Sequence, residues 1–324
     1  MKKVCFLLLL FLFIFILELT IGASNYPLSQ LLQGVWMMDS PAGLILWEFR
    51  IPRTLYAICL GVGLSLCGLA LQGMFRNPLA DPFTLGISGG AAFGAAAATL
   101  FGLETGGVTI SIAAFLGALL SCLIVYLLAS RSLFSKTALI LGGVMIGYFF
   151  QSGLMLTISL ISSDRAHGVI VWLMGDLASA PKTLLLPTIT LTAIGSLALY
   201  RFASGLNVLS MGEEKAAALG ENVQRMRRNI FVWSSVITGF CVAAVGIIGF
   251  VGLMIPHMVR RMVGPDYKTL FPLCALTGSI FVMACDLFSR TLFSPIEIPL
   301  GVITGVIGSL TFLWIFIMKR EPMG

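Results

Sequence analysis

The run Thr54–Gly102, TLYAICLGVGLSLCGLALQGMFRNPLADPFTLGISGGAAFGAAAATLFG, decides how this chain folds. Two apolar stretches, near 54–74 and 84–102, flank a short polar turn, and Arg76 and Asp81 are the only charged residues in the whole run. Each stretch is close to the roughly 20 apolar residues that a helix needs to cross a bilayer. Lipid offers no water to an open backbone, so each stretch must close its hydrogen bonds internally as a helix. Working outward, the same pattern recurs near 3–22, 108–130, 137–161, 183–202, 229–249, 252–263, 270–292 and 299–319. That makes about ten spans, the eighth too short for a full crossing and read as a broken or half helix. The chain has 324 residues, 58% hydrophobic and 10% charged, with a mean hydropathy of +1.01. Soluble domains carry about 25% charged residues. Residues 1–324 therefore read as one all-α, polytopic membrane domain with lipid as its main solvent.

Orientation follows from where Lys and Arg fall, because short cytoplasmic loops collect positive charge. With the N-terminus inside and each span crossing, 15 of the 20 Lys and Arg residues lie on the cytoplasmic side and 5 outside. Both termini are expected in the cytoplasm, and the net charge of +6 points to membrane topology and not to nucleic acid. The outer five are Arg50, Arg53, Arg165, Lys182 and Arg290. Arg50, Arg53 and Arg290 sit close to span ends and need a reason. One is an acidic partner that docks there. The other is interfacial anchoring or a local pair, such as Asp286 with Arg290 one helical turn on. The residues leave both open. Lys2-Lys3 followed by Val4–Leu17 resembles a signal peptide, with Ile21-Gly22-Ala23-Ser24 as its cleavage site; the many later apolar segments favour an uncleaved first span.

Gly86, Gly90 and Gly94, and again Gly301 and Gly305, recur at the four-residue interval that lets helices approach closely. Arg76-Asn77-Pro78 with Asp81-Pro82 after the second span, and Ile255-Pro256-His257 with Gly264-Pro265-Asp266 after the seventh, hint at a repeat. Those two spans run in opposite directions, so the halves would be inverted repeats, a common transporter plan.

Catalytic chemistry is not legible here. The sequence has no G-x-x-x-x-G-K-[ST] loop, no H-E-x-x-H and no G-x-S-x-G. Its two histidines, His167 and His257, are far apart, with His257 read as structural at a helix start. The seven cysteines form no C-x-x-C and read as reduced packing residues. No cofactor, metal site or catalytic residue is expected. The spans look almost free of charge, with Glu18, Asp176, Asp286 and Glu297 near their ends, whereas ion-coupled carriers keep titratable groups inside. An intramembrane enzyme would need converging polar side chains at mid-depth. Energy is expected from another subunit. The most polar stretch, Leu206–Asn229, contains Gly212, then Glu213 and Glu214, which suit a helix N-terminus, then Ala-rich sequence to Leu219 and Gly220. It reads as a short exposed helix, either a solvated loop or a rigid peg for a cytoplasmic partner.

At this point a resemblance becomes specific. Arg50-Ile51-Pro52-Arg53, Leu71-Gln72-Gly73-Met74-Phe75-Arg76-Asn77-Pro78-Leu79-Ala80-Asp81-Pro82, Leu85–Gly89, Gly212–Gly220, Gly249–His257, Ala284-Cys285-Asp286 with Arg290, and Glu297–Thr304 occur in order along the chain. Together they resemble the FecCD-type permeases, the membrane subunits of ATP-driven importers for iron-siderophores, haem and vitamin B12. Cys285 stands where a small aliphatic residue is more usual. The resemblance implies a BtuC-like fold of ten helices with inverted repeats, paired as a homodimer in the inner membrane. It also implies two cytoplasmic ATP-binding subunits and a periplasmic or lipid-anchored substrate-binding protein. Gly212, Glu213, Glu214, Ala217, Leu219 and Gly220 would couple to the ATPase. Arg50, Arg53 and Arg290 would receive acidic residues of the binding protein. The implied function is alternating-access import of an iron chelate, ferric siderophore or haem, with cobalamin as the alternative cargo and an ion-coupled secondary carrier as the alternative class. Trp172 and Met174 are placed to flank the outer entrance.

Overall fold

The computed structural model describes residues 2–22, 26–103 and 107–317. The cationic tail at Lys319-Arg320, the last two residues of the tenth expected span and the Ala23-Ser24 junction lie outside them. Among the described residues the fold is helical and contains no strand. Helix α1 (Lys2–Thr20) is followed by the short α2 (Leu28–Gly34) and α3 (Pro41–Ile45). A π-turn at Leu46–Arg50 joins α3 without a break to α4 (Ile51–Phe75), with the Ile51 N–H bonding back five residues to Leu46 O. Then come α5 (Ile87–Leu100), α6 (Gly107–Ser130), α7 (Lys136–Leu160), α8 (Ser163–Leu173), α9 (Leu185–Tyr200), α10 (Ala203–Ser210), α11 (Glu213–Ala218), α12 (Val223–Val245), α13 (Val251–Val263), α14 (Tyr267–Thr291) and α15 (Leu300–Ile317).

Each of the ten expected spans coincides with a helix: α1, α4, α5, α6, α7, α9, α12, α13, α14 and α15. Among the described residues, seven apolar helical segments are long enough to cross a bilayer, and α5 and α15 are shorter apolar helices. The eighth, α13, has 13 residues, about 20 Å at 1.5 Å per residue, so it is the half helix expected. One boundary is corrected. The seventh span, expected at 229–249, begins at Val223 and ends at Val245. Asn222 caps it by accepting from the Arg225 N–H at 2.9 Å, and its first two turns carry Arg225, Arg227 and Arg228, which a search for apolar sequence passes over.

The repeat is visible in the packing. Pair α4 with α12, α5 with α13, α6 with α14 and α7 with α15. Then α4 packs on α12, α13 and α14, while α12 packs on α4, α5 and α6. Within each set the second, third and fourth helices all touch one another. Both second helices also start from a residue in the left-handed region, Gly86 at φ 80° and Phe250 at φ 68°. The centre of the bundle is α4, buried along nearly its whole length, whereas α1 and α9 keep apolar faces outward as lipid-facing helices should.

Close approach explains the predicted glycines, with one exception. A methyl group built on Gly90 would lie 2.4 Å from Gly117 O, and on Gly94 2.2 Å from Ala113 O. Only glycine permits that α5–α6 crossing. Gly301 meets the carbonyls of Met174 and Ile247, but Gly305 faces open space, so this second pair is not a helix-packing motif within one chain.

His257 is not at a helix start. Pro256 lies inside α13. A proline at that position leaves the carbonyl four residues earlier without its helical donor. That carbonyl is Gly252 O, and it accepts instead from Gln72 Nε2 at 3.2 Å, which also reaches Leu253 O at 3.1 Å. The Leu71–Pro82 and Gly249–His257 motifs are thus joined by a hydrogen bond across the two halves. The His257 ring packs against Phe312.

Candidate functional site

Functional residues gather at the two ends of the bundle. At one end Lys3 Nζ donates to Met262 O at 2.6 Å, which brings the start of α1 beside the end of α13, with Arg260 and Arg261 in its last turn. Four of the five minority cations of the charge tally, all but Arg165, lie together at the other end. There, Arg50, Arg53, Tyr56, Lys182, Arg290 and Glu297 line a cavity of about 430 Å³.

The arginines of that cavity have partners from distant parts of the chain. Arg53 takes Asp286 as a fork, with Nε at 2.9 and 3.0 Å from the two carboxylate oxygens and Nη2 at 2.9 Å from Oδ1. Its remaining Nη1 donates to Glu297 Oε2 at 2.8 Å. Arg290 pairs with Glu18, whose side chain is 0% exposed. The expected helical pair of Arg290 with Asp286 is present at 3.6 Å, a charge contact too long for a hydrogen bond. The longer-range partners dominate.

These arginines also complete the end of α1. The last four carbonyls of a helix lack intrahelical donors. Here Leu17 O accepts from Ile21 N, Glu18 O from Arg290 Nη2 at 3.0 Å, and Leu19 O and Thr20 O from Arg50 Nη1 at 2.8 and 2.7 Å. The local-pair alternative therefore has defined partners. Only the Arg53–Glu297 part of this arrangement reaches solvent, at 12% and 34% side-chain exposure. The Lys182–Glu48 pair on the rim is open. The buried acids Glu18 and Asp286 belong to this cluster at the helix ends, each facing an arginine, and are not isolated mid-span groups.

At the opposite end α11 is a six-residue helix between Gly212 (φ 124°) and Gly220 (φ 87°). The expected helix is present, and α10 and the start of α12 extend the helical part of Leu206–Asn229 on either side. Its two glutamates differ. Glu213 turns inward, where its Oε1 meets Lys136 Nζ at 2.7 Å at the start of α7 and Arg227 Nη2 at 2.6 Å on α12. The hydrogen bond from Lys136, reinforced by Arg227, holds its carboxyl below the usual carboxylate range. Glu214 is exposed. Ala216 is fully buried, while Ala217 and Ala218 are exposed and Leu219 and Met211 are 66% and 59% exposed. The result is a small apolar tip on a helix tied by one carboxylate to two spans.

Trp172 lines a separate cavity of about 530 Å³ with Thr99, Asp164, Arg165 and Asp176, while Met174 O accepts the Gly301 N–H at 3.0 Å. The sequence reading missed the pairing of Glu18, the roles of Lys136 and Arg227, and the link made by Gln72. Three of the four reach residues far away in the chain, and Arg227 meets Glu213 only because α11 folds back on the start of α12.

The inverted repeat of α4–α7 and α12–α15, with a charged cavity at one end and a strutted surface helix at the other, fits the plan of a membrane transporter. The chain belongs to the FecCD transport family, whose model matches residues 9–318. It is 39% identical to the cobalamin import system permease protein BtuC of Halobacterium salinarum, covering 85% of this chain and 73% of that protein. It is 33% identical to the hemin transport system permease protein HmuU of Yersinia pestis, covering 97% and 96%. Among solved structures it superposes with a TM-score of 0.85 and 31% identity, over 98% of this chain and 99% of the other, on a metal-chelate type ABC transporter in an inward-facing conformation. This chain is therefore a multi-pass permease of an ABC importer of the metal-chelate type.

Proposed function

We propose that the chain carries an iron chelate, ferric siderophore or haem, across the inner membrane by ATP-driven alternating access, as one half of a homodimer with both termini in the cytoplasm. The observation that carries this reading is α11. Its exposed tip of Met211, Ala217 and Leu219 offers an apolar surface to an ATP-binding subunit. The Glu213 contacts to α7 and α12 give a displacement of α11 a direct route into two spans. Gly212 and Gly220, in backbone conformations that favour glycine, bound the moving piece.

The path runs between two copies. In its middle third α7 exposes Tyr148, Gln151 and Ser152 on the surface of the single chain. Lipid is a poor solvent for an amide, and polar groups at this depth face another protein surface or a water-filled passage. A second copy with an uncharged path between the two meets that need. A bulky chelate suits such a path, because tight binding would trap it. From above, acidic residues of a loaded binding protein dock over the cavity lined by Arg50, Arg53 and Arg290. Relatives that carry hemin and cobalamin leave cobalamin as the second cargo.

Ala217→Trp tests the coupling. The bulky ring on the tip is expected to abolish uptake while ATP hydrolysis by the assembled complex continues. Uptake at the wild-type rate would mean that the ATPase engages another surface. A reporter fused after Gly324 is expected to read as cytoplasmic, and an external signal would reverse the topology.

A further inference from the structure

The charges around the outer cavity cancel. Arg50, Arg53, Lys182 and Arg290 face Glu18, Glu48, Asp286 and Glu297, four against four, with the pairings Arg53–Asp286, Arg53–Glu297, Lys182–Glu48 and Arg290–Glu18 all made within the chain. An approaching carboxylate therefore meets a neutral cluster, and it gains a charge-assisted bond only where an internal carboxylate gives way. Asp286 and Glu18 have 0% exposed side chains and cannot leave without stranding buried arginines, which is costly. Glu297 is different. It is 34% exposed, lies in the irregular segment between α14 and α15, and touches Arg53 through one bond only, at 2.8 Å. If it swings away, the Asp286 fork still holds the guanidinium plane through Nε and Nη2, so Nη1 stays aimed and becomes vacant. Ile298, the next residue, is pinned through its N–H to Ser289 O at 3.0 Å. The side chain of Glu297 can therefore move while its backbone stays in place.

We infer that Glu297 is a built-in competitor. It occupies the Arg53 position that an acidic residue of the substrate-binding protein takes on docking, and docking proceeds by exchange of one carboxylate for the other. The device lowers affinity for the binding protein, so that the protein is released after delivery. It also selects partners whose carboxylate can reach the position held by Glu297. This inference rests on the docking role proposed above for the arginine cavity.

The test measures binding of the fluorescently labelled cognate substrate-binding protein to the intact permease–ATPase complex in nanodiscs. The complex carries wild-type permease, Glu297→Gln or Arg53→Gln. Exchange predicts that Glu297→Gln tightens binding by about fivefold, the scale of a partly exposed ion pair, and makes it more sensitive to salt, because the cluster then carries a net positive charge. Arg53→Gln should weaken binding. If Arg53→Gln leaves affinity unchanged, the docking role itself is wrong. If Arg53→Gln weakens binding but Glu297→Gln leaves it unchanged or weakens it too, the arginine docks the partner and Glu297 is no competitor. Should Glu297→Gln fail to assemble, Glu297→Asp carries the test. It keeps the charge but shortens the reach to Arg53, and exchange predicts a smaller tightening in the same direction; an unchanged or weaker affinity would overturn the inference.

Discussion

The two ends of this permease are held in opposite ways. At the end proposed to face outward, six ionic groups from α1, the π-turn, α4, α14 and the segment after α14 interlock, with Glu18 and Asp286 fully buried. At the inner end a single half-exposed carboxylate, Glu213, links a six-residue helix to α7 and α12. Buried charge networks are rigid because every member depends on the others, while solvent-exposed pairs are weak and exchange readily. The difference suits the docking and coupling roles proposed above. A docking face for an external protein has to present a fixed shape. A lever for an ATPase has to move as a unit without unfolding the spans it pulls.

The contrast can be broken by removing one group from each end. Asp286→Ala is expected to have the largest effect, because it strands both Arg53 and the side of Arg290 in a buried site. Loss of one partner of a buried pair costs about 3–5 kcal/mol. The thermal unfolding of the purified protein in detergent should shift strongly downward, and an unchanged midpoint would show that the network is slack. Gln72→Ala, towards the inner end, should cost less. It leaves Gly252 O, already deprived of its helical donor by Pro256, without its side-chain donor, a loss of about 1–3 kcal/mol. Hydrogen exchange across α13 should rise more than exchange across α6. Glu213→Gln should cost least, because Glu213 and Lys136 are partly exposed and the glutamine oxygen can still face the buried Arg227. It should free α11 to exchange while the thermal midpoint barely moves. An equal response to Asp286→Ala and Glu213→Gln would remove the distinction drawn here between the two ends.

The same carboxylate sharpens the comparison through pH. The Lys136 hydrogen bond and Arg227 hold the folded-state value of Glu213 below the ordinary one of about 4.3. Its contribution is therefore fully present above the ordinary carboxylate range, and it fades as pH falls through the depressed value. The protection of α11 against exchange, taken relative to the intrinsic amide rate at each pH, should stay flat between about pH 6 and 8 and fall only on strong acidification. A loss of protection near neutrality would point to a different group.

How much of this was legible from the residues alone depends on the range of each interaction. The spans were, because an apolar run such as Thr54–Met74 carries its own solvent preference. So was the half helix at α13, through its length. The anomaly of Arg50, Arg53 and Arg290 was visible from the charge bias. Its partners were visible only where helix periodicity brought them close, as for Asp286 and Arg290, and that proved the weaker contact. Arg53 with Asp286 and Arg290 with Glu18 are separated by 233 and 272 residues, distances that only the folded bundle closes. The start of α12 was hidden for a related reason. Its first turns carry the exposed Arg225 and Arg228 and a buried Arg227 that faces Glu213, and the Asn222 cap starts the helix where no apolar run marks it.

The central claim is that this chain is the membrane half of an ATP-driven importer for an iron chelate, and uptake into proteoliposomes tests it most directly. The vesicles would hold the permease with its ATPase and ATP inside, the binding protein outside, and labelled ferric siderophore, haem or cobalamin as cargo. The account predicts accumulation of an iron chelate that stops when either ATP or the binding protein is withheld. Accumulation driven by an ion gradient without ATP would contradict it.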